Sequence, residues 1–282
     1  MQLPRNNYIF NVEDPAEQER LSIQDELITK CMGGVLPSDK DFSHVHDVLD
    51  LACGPGAWAL ALAAKYPEMN ITGVDISSTM INYARAQAQI RKANVTFEVM
   101  DLRQLEFEEN SFDFIHVRLI SAALRREDWS GLWRCCYKIL RPGGWLRWSE
   151  SDIPVSSSAA YEELFVLLTK AMHRLGQSFS PTGNTIGLLP YMIPHLLQAG
   201  FTIAEQRAYP LDCSAYTQVW QIGMQDNIVI FQLIKPLLIK VGVIEEKDFE
   251  RLFENMVLDI QQPTFYGLSL MLSIWACKPL MA

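Results

Sequence analysis

The residues with the clearest chemical meaning lie in the stretch VLDLACGPG, Val48 to Gly56. A short apolar run carrying Asp50 ends in Ala52, Cys53, Gly54, Pro55 and Gly56. Trp58 to Ala64 then turns Ala- and Leu-rich, as a helix packed on a sheet does. Strand, glycine turn and helix together make a site for a nucleotide-type ligand. Glycines let the turn approach a ligand with no Cβ in the way. The helix start adds free N–H groups and a partial positive charge. About 20 residues on, Asn70 to Asp75 reads as a second strand ending in an acid, and a carboxylate so placed can accept both hydroxyls of a ribose. A dinucleotide fingerprint would put a third glycine where Ala59 stands, and no Gly-Lys-Ser/Thr follows as in a P-loop. A turn that only closes a βα unit is the plain alternative.

Taken in order, these stretches resemble the motifs of the class I S-adenosylmethionine (SAM) methyltransferases. VLDLACGPG is similar to the D/E-x-G-x-G-x-G motif, with Ala52 in place of the first glycine. VDISSTMINYARAQ resembles the second motif, D-x-S-x-x-M-x-x-x-A. Val95 to Met100 leads as a third strand to Asp101, and Ser111 to Val117 is a fourth. Ile139 to Gly144 is similar to the family's L-R/K-P-G-G turn before a fifth strand, Trp145 to Ser149. The resemblance covers 45–152 at motif level. It implies SAM as cofactor, S-adenosylhomocysteine (SAH) as product, and a Rossmann-like α/β fold. The sheet would have seven mostly parallel strands in the order 3-2-1-4-5-7-6, the last antiparallel, with helices on both faces. Asp50, Ala52, Cys53, Gly54 and Gly56 would cradle the cofactor, Asp75 with Ile76 and Met80 its ribose side. Asp101 would meet the adenine amino group, between Met100 and Leu102, and Arg118 would line the cleft.

These motifs need elements to position them. Asp14-Pro15 reads as a helix start, and Leu21, Leu27 and Ile28 suggest an amphipathic helix ending at Gly33-Gly34. Residues 1–44 are expected as an N-terminal helical lid on a methyltransferase domain, 45–282. Tyr8 is the candidate for the methyl side of the cofactor. Arg20 and Gln24, i and i+4 on one face, suit its methionine carboxylate or the glycine loop. Cap helices are expected at about 155–198 and 213–260, with a sixth strand over 201–209 and a last one over 265–278. The family's segment after the fifth strand presents residues to the acceptor, which implies His173, Phe179, Tyr191 and Met192. Trp148 and Glu150 alternate onto one face of the fifth strand. Tyr8, Glu150 and His173 are the catalytic candidates. Glu150 can accept a proton or orient an acceptor, or else bind backbone amides at the strand end. His116, inside an apolar strand, can be a base or a packed core residue.

Composition narrows the function. The chain has 282 residues, 49% hydrophobic, with a formal net charge of −9, which lacks the basic footprint of tight nucleic-acid binding. The six cysteines form no C-x-x-C or Cys/His cluster, so reduced thiols and no metal are expected. No apolar run reaches a membrane-spanning length without polar interruption, and the amino terminus lacks a signal-like apolar core, so the cytoplasm is the expected location. A homodimer is possible. The acceptor is expected to be small and largely apolar, a terpenoid, indole or polyketide metabolite methylated at C, O or N by in-line displacement. An NAD(P)-dependent oxidoreductase on a related fold and a non-catalytic SAM-binding protein are the rival readings.

Overall fold

The computed structural model describes residues 8–11 and 14–280. Its elements follow the βα rhythm of the sequence. Helix α1 spans Pro15–Cys31, with the Asp14 side chain accepting from the amide of Ala16. Then come β1 (Asp47–Leu51), α2 (Ala57–Lys65), β2 (Asn70–Asp75), α3 (Ser78–Arg91) and β3 (Val95–Val99). The chain continues through β4 (Phe112–Arg118), α4 (Trp129–Ile139), β5 (Leu140–Ser151) and the two-residue β6 (Val155–Ser156). After these lie α5 (Ala159–Arg174), a 3₁₀ turn at Leu189–Tyr191, α6 (Met192–Gln198), β7 (Thr202–Asp212), α7 (Trp220–Lys240), α8 (Glu246–Ile260) and β8 (Gly267–Cys277).

The strands form one sheet. β1 pairs in parallel with β2 and β4, β3 with β2, and β5 with β4. β8 lies antiparallel between β5 and β7. Counting the seven long strands, the order is 3-2-1-4-5-7-6 with the last antiparallel, as expected. The short β6 was not foreseen. Pro154 can donate no ladder hydrogen bond, so the chain leaves β8 after Ser151 and rejoins it at Val155, opposite Leu268.

Two cores flank the sheet. On one face Trp129 and Trp133 of α4 pack on Trp148 of β5, with ring centroids 5.0 and 4.3 Å apart. On the other, α2 and α3 cover Val48, Phe114 and Trp275. A third core joins α5, α7 and α8 through Leu164, Phe231, Phe249 and Met256. Helix α7 is long and apolar enough to cross a membrane by length and composition. Here it spends Phe231, Ile234 and Leu238 on this third core.

Gly56 caps α2 at φ 81°. A Cβ there would lie 2.6 Å from the Phe97 ring and 2.9 Å from Ala84. Gly56→Ala therefore combines left-handed strain with overpacking and is expected to cost about 2–4 kcal/mol of stability by urea unfolding. A Cβ on Gly54 would meet only ordinary contact, Leu21 Cδ1 at 3.8 Å. Gly54→Ala should cost about 1–2 kcal/mol. Equal losses in the two variants would refute the packing role of Gly56.

Candidate cofactor and active site

A cavity of about 1170 Å³, counting its open mouth, lies over the carboxyl ends of β1, β2 and β4. That is the crevice in which open α/β sheets bind ligands. Its floor is the glycine turn. Backbone tension there is real: Ala52 (φ 53°), Gly54 (52°) and Gly56 (81°) are all left-handed. Asp75, at the tip of β2, accepts from the amide of Gly54 at 3.0 Å and that of Ser77 at 2.9 Å. Burial raises the proton affinity of Asp75, and these amides oppose it. After β3 Leu102 sits beside Asp101 on the cavity wall, and the Asp101 carboxylate is held by Arg103 at 2.9 and 2.5 Å. Burial opposes the charge of Asp101, but Arg103 prevails and lowers its pKa.

Deeper in the wall, Asp50 Oδ1 lies 2.9 Å from His116 Nδ1. The Trp58 ring stacks on His116 with centroids 3.8 Å apart and a 10° tilt. Burial pushes Asp50 well above the usual carboxylate range, with Asp25 and Asp75 adding to it. Burial, then Arg147 and Arg118, holds His116 well below the usual imidazole value, so the ring is neutral.

The roof is α1, which lends Leu21, Gln24, Asp25 and Ile28. Asp25 pairs with Arg118 at the tip of β4, and Arg118 also donates to Thr29 Oγ1 at 3.2 Å. Tyr8 lines the cavity and donates its hydroxyl to Glu17 Oε1 at 2.8 Å.

Several expected site residues lie elsewhere. Arg20 is outside the cavity wall. It grips Glu17 through Nε and NH2, and Asp226 of α7 through NH1 at 3.0 Å. Gln24 donates to the same Asp226 at 3.2 Å while lining the cavity. Gly56 serves packing, and Met100 packs against the α4-side core. Trp148 and Met192 are fully buried in that core. Phe179 and Tyr191 pack against each other and against His195, with Tyr191 45% exposed. His173 packs under the loop at Gly183, away from the cavity wall. Strand parity explains Trp148 and Glu150: both side chains lie on the α4 side of β5.

Glu150 takes the second of its two expected forms. Its Oε1 accepts from the amide of Ile120 at 2.9 Å and from Trp148 Nε1 at 3.1 Å. It thus anchors, from behind, the segment Leu119 to Leu124, which supplies four cavity residues: Leu119, Ile120, Ala123 and Leu124. Leu119 is left-handed at φ 55°, a conformation that needs such an anchor. Asp152 similarly accepts from the amides of Ile186 and Gly187.

Sequence reasoning missed Asp25, Trp58 and the segment after β4 as cavity wall. Leu21, Gln24, Asp25 and Ile28 repeat at i, i+3, i+4 and i+7, a stripe hidden by its mixed polarity.

A family model described as "Methyltransferase domain" matches residues 48–144. "Methyltransferase pytC" of Aspergillus terreus is 31% identical over 189 residues, 67% of this chain and 56% of that protein. The chain belongs to the class I SAM-dependent methyltransferases. It spans 56% and 35% of the length of two curated relatives it matches. A Bacillus halodurans structure described as a candidate methyltransferase shares the fold, with TM-score 0.55 at 15% identity, covering 90% of this chain and 99% of that one. So does phosphoethanolamine N-methyltransferase 2 of Haemonchus contortus, solved with phosphomonomethylethanolamine and SAH. There the TM-score is 0.50 at 17% identity, covering 93% of this chain and 52% of that one. Membership in this methyltransferase family sets aside the oxidoreductase reading, which the antiparallel β8 also does not fit.

In this methyltransferase-family chain the burial of Glu150 has a measurable consequence. Its pKa is raised from 4.5 to about 7 by burial, against the Trp148, Ile120 and Ser121 hydrogen bonds. A raised carboxyl pKa favours the protonated folded state, so this stability is present at low pH and lost as pH rises toward 7 and beyond. Glu150→Gln removes that loss. The stability of the variant relative to the natural chain should rise by up to about 3 kcal/mol between pH 4.5 and 8. A difference that stays flat across that range in urea titrations would refute the titration of Glu150.

Proposed function

We propose that the chain transfers the methyl group of SAM to a small-molecule acceptor held beneath α1. The observation that carries this reading is the continuity of the cavity wall. It runs from Asp101, Asp75 and the glycine turn to Tyr8, Asp25, Ile28 and Arg118 under the lid. The residues fit the cofactor. A carboxylate has about four lone-pair sites, and Asp75 meets the amides of Gly54, Ser77 and Ile76, leaving room for a ribose hydroxyl. The bare Cα of Gly54 keeps the floor open, and the first N–H groups of α2 lie beside it at the turn.

Bound SAM would supply an activated methyl on a sulfonium. The chain's own residues align the acceptor with it and exclude water. Helix α1 does the excluding, held on one side by Arg118–Asp25 and on the other by Arg20–Asp226. Leu21, Ile28, Leu119, Ile120 and Leu124 offer apolar surface, and Tyr8, Gln24 and the Asp25–Arg118 pair offer polar contacts. This lining supports a largely apolar acceptor with one polar handle, of the terpenoid, indole or polyketide kind. The support comes from this wall and not from Phe179 and Tyr191, which pack elsewhere.

Two measurements test the reading. Asp75→Ala should weaken SAH binding by about tenfold or more in calorimetry. Unchanged affinity would remove Asp75 from the site. Methyl transfer from labelled SAM into a metabolite extract should give a labelled small molecule. SAH binding with no transfer to any extract would favour the non-catalytic reading. Tyr8→Phe should keep SAH affinity and lower the transfer rate, whereas a rate equal to the natural chain's would assign Tyr8 to packing.

A further inference from the structure

We propose that His116 is a positioning residue for the amino-acid portion of the cofactor: it holds one oxygen of Asp50 so that the other can receive an ammonium group. This rests on the SAM reading above. The geometry is that of a fixed acceptor. Asp50 Oδ1 is tied to His116 Nδ1 at 2.9 Å, and Asp50 Oδ2 takes no donor among the described residues. Asp50, His116 and Trp58 all line the cavity next to the glycine turn. Trp58 lies flat on the imidazole, and its own indole N–H donates to the carbonyl of Val35 at 3.2 Å. The ring that fixes Asp50 is therefore itself fixed.

Two further observations point the same way. His116 Nε2 is buried and has no partner among the described residues. A buried unpaired nitrogen is destabilising, so packing alone would favour an apolar residue, as at Ile115 and Val117 beside it. Asp50 also lacks, among the described residues, the cation or the amides that its neighbours have. On α1, Asp25 is paired with Arg118 of β4. On β2, Asp75 is met by amides. On β5, Arg147 donates to the carbonyl of Val35 and to Ser273, and stacks on Trp275. Asp50 on β1 has only a neutral imidazole. Burial beside Asp25 and Asp75 raises the proton affinity of Asp50, and a cationic amine at Oδ2 would offset that and hold the carboxylate ionised.

The test compares two ligands that differ in the amino-acid portion, ammonium and carboxylate together. SAH carries the amino acid, whereas 5′-methylthioadenosine has the adenosine and sulfur without it. Both are titrated by calorimetry into the natural chain, His116→Phe and His116→Asn. Phenylalanine keeps a flat ring against Trp58 and loses the donor. Asparagine can place an amide N–H near the position of Nδ1. His116→Phe should weaken SAH about tenfold or more and leave 5′-methylthioadenosine within about twofold, while His116→Asn should keep SAH within about threefold. Retained binding of 5′-methylthioadenosine also shows that the variant is folded. Equal weakening of both ligands by His116→Phe would reduce His116 to packing and overturn the proposal, as would no weakening of either. A loss of SAH in His116→Asn as large as in His116→Phe would overturn the donor role. If the natural chain binds neither ligand, the SAM reading itself fails and the proposal with it.

Discussion

The carboxylate of Asp75 is the tie on which the site depends. It accepts from Gly54 in the turn after β1 and from Ser77 at the start of α3. One half-buried acid thus joins two βα units at the mouth of the cavity. The turn needs that tie. Three of its five residues are left-handed, and Ala52 is not glycine, so it carries strain of about 1–2 kcal/mol. The amide of Cys53 bonded to Val74, that of Gly56 bonded to Cys53 and that of Gly54 bonded to Asp75 hold the strained path in place. Asp75 is costly to bury, but hydrogen bonds to an ionised group are the strong ones.

The lid is held by charges rather than by a broad apolar face. Among the described residues α1 buries Glu17, Arg20, Leu27 and Ile28. Tyr8, Glu17, Arg20, Asp226 and Gln24 form one connected network between the lid and α7. Removing one partner of such a buried network costs far more than the network gains over an apolar interface. What it supplies is register. The network, with Arg118–Asp25 on the opposite side, sets α1 so that the stripe Leu21, Gln24, Asp25 and Ile28 faces the cavity.

That pattern explains what was legible in the sequence. The sheet order, the glycine turn and the position of Asp75, Asp101 and Arg118 on the cavity wall could be read because backbone geometry and motif spacing constrain them locally. The start of α1 at Asp14-Pro15 and the Ser77 cap of α3 were legible for the same reason. Arg20 was misread because a helix position shows that a guanidinium is near the site but not which partners take it. Glu17 lies three residues away on α1, but Asp226 is 206 residues distant in the chain. Trp148, Phe179, Tyr191 and Met192 were misread for a different reason. An aromatic or sulfur-bearing side chain after the fifth strand reads alike as acceptor wall or as core. For Trp148, the facing Trp129 and Trp133 of α4 settle it as core.

The two faces of β5 then divide the work between halves of the cavity. On one face Arg147 donates to the carbonyl of Val35 and contacts Met32 Sδ, so it seats the chain that leaves the lid helix. On the other face Glu150 anchors the amide of Ile120 and so the wall segment from Leu119 to Leu124. A single strand thus supports both the roof and the far wall of the cavity. None of the residues it supports belongs to the glycine turn, nor is any of them Asp75 or Asp101. The half of the cavity at the glycine turn is therefore specified by local backbone constraints, while the half under α1 is specified by long-range seating of α1 and of the segment after β4. Change in Leu21, Ile28, Leu119 or Leu124 can reshape that second half and leave Asp75 and its amides intact. That separation lets one scaffold serve many acceptors, and it is why the motifs of this chain speak to the methyl donor more than to the molecule that receives the methyl.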